Sequence, residues 1–353
     1  MLQFSKIINI GRIKRAIYVR HGLDLPYSFA HRYVRRRLHF SIYFFIIFLL
    51  LFSVLCSYYL LPPLKSMEIP SPSTSSPSPQ IMYVVRTTSK FYQNRLIYLL
   101  QTWISFVQNQ VYFVLDELIP NIPHDHLILT KNTCDEESHK MKALCCKTAH
   151  DFVLFRRHKT QYNWFCHFDD DQYVHTENLD KYLSTLDAHY PYYIGRHSWN
   201  TTVKRTKQPF PYPFWFATLG AGVCFSKYLV DLLEPYTQNI SQFTDGCLKE
   251  NYFDDIYLGF LISGYLNVSL TKNLRFHSHL EKDFYRDKRT FMKIFDKQIT
   301  FGFNFPRTYP SFLPSLYESQ YDPYRLRTLH CLLYPYLFEC QTKIRQHLFN
   351  ITK

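Results

Sequence analysis

From residue 81 onward the apolar positions fall into two kinds of run. "IMYVVRTT", "VYFVLDE", "HLILTKN", "WFCHFDD" and "YYIGR" are short, dense and rich in β-branched or aromatic residues, and they predict buried strands. "NRLIYLLQTWISFV", "KALCCKTAHDFVLFRRH" and "ENLDKYLSTLDAH" carry their apolar residues at helical spacing. Strand and helix patterns alternate, which predicts parallel strands joined by crossover helices, an α/β sandwich. Such a sheet collects ligands at the carboxyl ends of its strands. Ahead of this region the pattern is different. Residues 40–61, "FSIYFFIIFLLLFSVLCSYYLL", form one run of 22 with no charged side chain. At ~1.5 Å per residue that run spans the ~30 Å hydrocarbon core of a bilayer.

Charge gives the run a direction. The chain of 353 residues carries a formal +13, and nine Lys or Arg against one acid lie before residue 40. The remainder is close to neutral, so the basic balance is a membrane-proximal tail and no nucleic-acid partner is expected. By the positive-inside rule residues 1–39 are a cytosolic tail and residues 40–61 a signal anchor of type II orientation. The run is too long and begins too late for a cleaved signal peptide. Residues 62–80 contain the tract "IPSPSTSSPSP", which cannot pack a core and reads as an extended stem. Residues 81–353 are then the lumenal catalytic domain. The sequons at Asn200, Asn239, Asn267 and Asn350 all lie on that side of the span.

Eight of the nine cysteines also lie there, where disulfides form. Cys134 and Cys146 bracket a short loop, as do Cys331 and Cys340, and Cys166 and Cys224 sit in two strand-like segments that could be neighbours. Cys145 and Cys247 have no evident partner in the sequence, and the absence of CxxC pairs argues against zinc.

One strand ends in three consecutive acids, Asp169, Asp170 and Asp171. Carboxylates withdrawn from water repel one another unless something compensates them. A hard dication such as Mn²⁺ or Mg²⁺ takes such oxygen ligands and also binds diphosphate. Three further segments add to this. "FWFATLGAGVCFS" places small residues where a backbone must approach a ligand closely. "NYFDDIYLGFLI" offers Asp254 and Asp255 at the start of a helix, and "RFHSHLE" offers His277 and His279 on one face of a strand. Each alone has a plainer reading, as a turn, a helix cap and a structural histidine pair.

In this order, and together with "LRTLHCLLYP", these segments resemble the Fringe family of β-1,3-N-acetylglucosaminyltransferases, among the inverting β-1,3-glycosyltransferases. The resemblance runs from about residue 81 to residue 340. It implies a GT-A-like nucleotide-sugar transferase domain, an α/β/α sandwich, behind the transmembrane helix, with Mn²⁺ as cofactor and UDP-GlcNAc as donor. It implies GlcNAc transfer in β-1,3 linkage to O-linked fucose on EGF-like repeats of Notch-type receptors, in the Golgi. By position in the motifs, Asp171 or its neighbour Asp170 would ligate the metal together with His279, and Asp169 would face the donor. Asp255 would be the catalytic base, Arg95 would contact the donor, and Asp116 would lie near the uracil. The family's disulfides fall on Cys134–Cys146, Cys166–Cys224 and Cys331–Cys340. The chain departs from the family pattern at Leu219, where a glycine is usual, and at Phe253, where a proline is usual.

The implied chemistry is a single displacement with Asp255 as general base, and no covalent nucleophile is required. Three other readings share these residues: a core-1-like β-1,3-galactosyltransferase, an inactive lumenal binding protein on the same fold, and a metal-dependent phosphohydrolase.

Overall fold

A computed structural model describes residues 79–119, 122–134, 140–208, 210–304 and 310–351 of the chain. The expected cytosolic tail, membrane span and nearly all of the stem lie outside the described residues. Among the described residues no helix is long and apolar enough to cross a membrane.

The five anticipated strands form, as β1 (Ile81–Arg86), β2 (Val111–Leu115), β3 (Leu127–Leu129), β4 (Trp164–Asp169) and, after the short β5 (Gln172–Val174), β6 (Tyr193–Gly195). With β7 (Val223–Ser226) and β8 (Leu270–Lys272) they make a seven-stranded sheet in the order β3-β2-β1-β4-β7-β6-β8. The first four are parallel neighbours, and β6 and β8 are parallel to each other. β7 is inserted antiparallel between β4 and β6, so the all-parallel expectation is corrected at this one strand. A ribbon of β5 with β9 (Thr300–Gly302) stands apart from the main sheet.

The helical pattern after β1 is realised in pieces, a π turn over Tyr92–Leu96 followed by α1 (Ile97–Leu100) and α2 (Ile104–Val107). Further along come α3 (Met141–His158), α4 (Thr176–Leu183), α5 (Lys227–Thr237), α6 (Ile240–Glu250) and α7 (Asp254–Gly259). α8 (Lys282–Arg286), α9 (Lys288–Ile294), α10 (Leu326–Leu333) and α11 (Phe338–Ile351) complete the helices.

Alternate residues of the central strands feed two separate cores, as the period of two along a strand requires. Tyr83, Val85, Phe113, Cys166 and Phe168 face one core with Leu99, Trp103, Leu179 and Leu329. Met82, Val84, Val114, Phe165 and Phe225 face the other with Phe152, Leu233, Phe243 and Leu258. Two cores on two faces of one sheet make the three-layer α/β/α sandwich. Both faces being covered also explains why β1 and β2 read as unbroken apolar runs rather than alternating ones.

The three anticipated disulfides are present, with Cys166 and Cys224 directly opposite in the β4–β7 pairing. Cys145 and Cys247 are also joined, tying α3 to α6. Their 102-residue separation gave spacing nothing to work with; only the packing of the two helices brings them together.

Candidate active site

β1 and β4 pair in register so that Arg86 and Asp169, the last residues of each, lie side by side at the carboxyl edge. The Arg86 guanidinium donates to Asp169 Oδ1 from Nε at 3.1 Å, with Nη2 3.0 Å away. From Nη1 it donates to Asp254 at 2.8 Å and to the Thr148 hydroxyl at 3.0 Å. Thr148 in turn donates to the same Asp254 oxygen at 2.8 Å. Asp254 is therefore not a helix cap: α7 is preceded by Phe253 with no side-chain cap, and the carboxylate is spent on Arg86 and Thr148. One arginine joins the acid triplet to the second acid pair.

Behind Asp169 stands a buried relay. His167 Nδ1 lies 2.7 Å from Asp151, and its Nε2 lies 3.4 Å from Asp169. Burial opposes charge on this imidazole, but the Asp151 carboxylate overrides it and pushes His167 up to about 9. Burial also opposes ionisation of Asp169, and Arg86 followed by His167 holds that carboxyl well below the usual range.

Asp170 and Asp171 turn away from the strand into a cleft of about 260 Å³. Asp170 is fully engaged, accepting from Arg95 at 2.9 Å and from the Thr87 hydroxyl at 2.7 Å. Burial and then the neighbouring Asp171 nevertheless push it up to about 7. Asp171 is left differently. One of its oxygens lies 3.5 Å from His279 Nδ1 and 3.6 Å from Arg95, and Oδ1 is buried without a hydrogen-bond partner. His279 Nδ1 is likewise buried and unpartnered at hydrogen-bonding geometry. An unpartnered carboxylate oxygen, Asp171 Oδ1, and an unpartnered imidazole nitrogen, His279 Nδ1, on side chains that approach to 3.5 Å through the other carboxylate oxygen, fit a divalent cation of the Mn²⁺ or Mg²⁺ kind.

"RFHSHLE" is not a strand, which corrects that expectation: Phe276, His277 and Ser278 run in irregular backbone that leads into a turn at His279. The β5–β9 ribbon explains the path. A Cβ on Gly302 would sit 2.3 Å from the His279 amide nitrogen, so the loop can cross only over a glycine. Nor do the two histidines share a face. His277 is buried, lies 2.9 Å from Gln298 and stacks on Phe284 at 3.8 Å, while His279 turns to Asp171.

The Gly-Ala-Gly segment also acts otherwise than expected. Gly222 adopts φ 85°, and an added Cβ there would meet the Phe168 ring at 2.8 Å. Its lack of a side chain serves the turn and the core, whereas a Cβ added at Gly220 would stand 3.8 Å from Asp169 Oδ2. Leu219 points into the second core.

Asp255 accepts from the Ile256 amide at 2.7 Å. Burial, reinforced by the Asp254 charge, pushes it up to about 7, the range in which a carboxylate can take a proton at neutral pH. Asp116, just past β2, accepts from the Ser89 amide at 2.7 Å, and its charge reaches Lys147 of the cleft together with those of Asp170 and Asp169. Arg86, Thr87, Lys147, Thr148, Asp151 and His167 all belong to the site or its support and were not singled out in the sequence. Lys147 lines the same cleft, and burial followed by the Arg86 charge lowers its affinity for a proton.

Among the described residues the group of three potential ligands whose atoms lie within 4.8 Å of one another is Cys134, Cys146 and His150. Its two sulfurs are joined in a disulfide, so it offers no thiolates.

An α/β sheet that gathers acids and arginines at its strand ends has the architecture of an enzyme with a ligand at the carboxyl edge. Comparison with known proteins narrows the class. A family profile described as Fringe-like matches residues 76–337. The chain is 34% identical over 287 residues to beta-1,3-N-acetylglucosaminyltransferase lunatic fringe of Danio rerio, covering 77% of this chain and 74% of that one. Against manic fringe of Pan troglodytes it is 32% identical over 299 residues, covering 80% and 90%. Against the Fringe glycosyltransferase of Drosophila melanogaster it is 34% identical over 223 residues, covering 61% of this chain and 52% of the relative. The chain belongs to the Fringe-like family, a family of hexosyltransferases.

Proposed function

We propose that this protein is an Mn²⁺-dependent inverting glycosyltransferase of GT-A type that adds GlcNAc in β-1,3 linkage, from UDP-GlcNAc, to fucose O-linked to EGF-like repeats of Notch-type receptors. The observation that carries the reading is the Arg86 bridge. It makes the acid triplet, where a donor diphosphate belongs, and the Asp254–Asp255 pair, where a base belongs, parts of one construction. The names of the relatives supply the linkage and the sugar.

In this reading Asp171 and His279 hold the cation, with Asp170 fixed beside them by Arg95 and Thr87. A cation held there would supply positive charge to the donor's diphosphate. Arg95 and Lys147 add positive charge along the cleft, and Asp116 stands near the uracil. Asp255 accepts the proton of the acceptor hydroxyl as its oxygen bonds to the anomeric carbon. The anomeric C–O bond to phosphate breaks in the same displacement, and its electron pair leaves with UDP. One displacement inverts the α-linked donor to a β-linked product. General-base help of this kind contributes about 10²–10⁴-fold.

The cellular setting belongs to the same proposal: a type II Golgi membrane protein with residues 81–353 in the lumen. The exposed sequon residues Asn200, Asn239 and Asn267 and the four disulfides support it.

The test offers UDP-GlcNAc and UDP-Gal with Mn²⁺ to an O-fucosylated EGF repeat, to its unfucosylated form and to an O-GalNAc peptide. GlcNAc on the fucosylated repeat alone is the expected result. Galactose on the O-GalNAc peptide would give the chain the core-1-like activity instead, and donor binding without transfer would make it a binding protein.

A further inference from the structure

Between β6 and β7 the chain makes a long excursion, residues 196–222, that folds back on itself as an antiparallel flap. Val203 pairs with Phe214 and His197 with Ala217. The flap is pinned at its far side by Arg205, whose guanidinium donates to Glu250 at 2.6 Å and lies 4.3 Å over the Phe260 ring. Its near side rests on α7. A Cβ on Gly259 would fall 2.3 Å from the Phe216 Cβ, so flap and helix touch there with no room to spare. Gly259 and Asp255 are four residues apart on one face of α7, just over one turn or ~6 Å along the axis. The Asp255 carboxylate thus stands one turn of α7 from the contact that seats the flap. It also contributes, after burial, to raising the pKa of Tyr193, whose hydroxyl accepts from the Ala217 amide at 2.9 Å.

The flap carries Trp199. Of the four tryptophans in the chain, Trp103 and Trp164 are buried and Trp215 is covered by Lys272, 3.2 Å from its ring centroid. Trp199 is 48% exposed and rests edge-on against Phe216 at 5.2 Å and 87°. Its support is therefore the residue that seats the flap on Gly259. A large apolar ring held in water on a residue that packs against the helix carrying a candidate base is an anchor for a ligand with an apolar face. Phe253, the residue before the acid pair, is 42% exposed as well.

We propose that Trp199 is the acceptor platform, stacking its open ring face on the C–H face of the acceptor's sugar and so setting that sugar against Asp255. The inference rests on the glycosyltransferase reading given above and adds the residue that recognises the acceptor. A 6-deoxy sugar, with a methyl group where others carry a hydroxyl, suits such a platform.

The experiment uses the detergent-solubilised full-length chain and its W199A and W199F variants. It measures acceptor KM, kcat and UDP binding with fucosyl, N-acetylgalactosaminyl and glucosyl glycosides, together with the thermal midpoint. W199A should raise the acceptor KM about tenfold, the loss expected of a truncated aromatic anchor. Its kcat, UDP binding and thermal midpoint should stay within reach of the parent, and W199F should recover most of the affinity. An acceptor KM in W199A within twofold of the parent, or a fall in kcat at unchanged KM, would overturn the proposal. If the parent uses a glycoside other than fucose, the proposed substrate is wrong while the platform stands, provided the KM for that glycoside shifts in W199A. Transfer by the parent to none of them overturns both.

Discussion

Arg86 and Asp254, separated by 168 positions in the chain, meet at 2.8 Å with side chains only 10% and 7% exposed. The same guanidinium holds Asp169, so its removal would strip the buried Asp254 of its counter-charge and leave Asp169 with His167 alone. Breaking a buried pair by deleting one partner costs about 3–5 kcal/mol. Arg86→Met should therefore lower unfolding stability in urea by about that amount. Pairing it with Asp254→Asn should return part of the loss, since one stranded charge is then gone. Equal losses in the single and double variants would show that the bridge holds the site together less than its geometry implies.

Asp255 is placed to separate binding from chemistry. Asp255→Asn keeps the shape and one acceptor oxygen but removes the base, so turnover should fall at least ~10²-fold with UDP-GlcNAc affinity preserved. Burial and Asp254 raise the carboxyl to about 7, and only its ionised form accepts a proton. In the parent, kcat/KM should therefore climb with pH up to about 7 and level above it. A profile already flat at pH 5 would assign the base elsewhere.

Cation binding can be read without turnover. Asp171→Ala and His279→Ala should each abolish the part of UDP affinity that depends on Mn²⁺ while leaving the thermal midpoint of the apo chain near the parent's, because neither side chain belongs to the apolar core. Calorimetric titration of UDP with and without Mn²⁺ checks this, and Mn²⁺-dependent binding that survives in both variants would remove them from the site.

A fourth expectation concerns stability rather than the site. His330 is a buried residue of α10, its Nδ1 2.7 Å from the Tyr173 hydroxyl. Burial, and then His175, hold its pKa down at about 4, below the ~6.5 of an unfolded histidine. Between those values the unfolded chain binds the extra proton, so this contribution is complete above about pH 6.5 and is lost as the pH falls towards 4. The loss is at most about 3 kcal/mol. Urea midpoints at pH 7 and pH 4.5 should differ less in His330→Gln than in the parent.

The strands β1, β2 and β4 and the acids that follow them were legible because a strand buried on both faces writes itself as an apolar run, and an acid ending such a run stands out. Asp255 was legible as half of a pair opening a helix. Arg86 was not. It is one arginine at the end of "IMYVVR", and its meaning comes from a strand register that places it beside Asp169 and from a helix start far along the chain. His279 was found while its local structure was mistaken, since two alternating histidines look the same in a strand and in a loop crossing over Gly302. The antiparallel direction of β7 had no local signature either, because direction is set by how the preceding excursion returns.

The two central disulfides are nested: Cys145–Cys247 encloses Cys166–Cys224, and both enclose the segment carrying Trp199 and the 68% exposed Tyr212. A protease that nicks the chain between those two aromatics would cut both disulfide-closed loops and still free neither fragment. The halves would stay linked by two covalent bonds across α3–α6 and β4–β7 and would migrate as one chain until a reductant is added. The molecule can thus have its flap cut without coming apart, so an intact band on a non-reducing gel is no evidence of an intact acceptor surface.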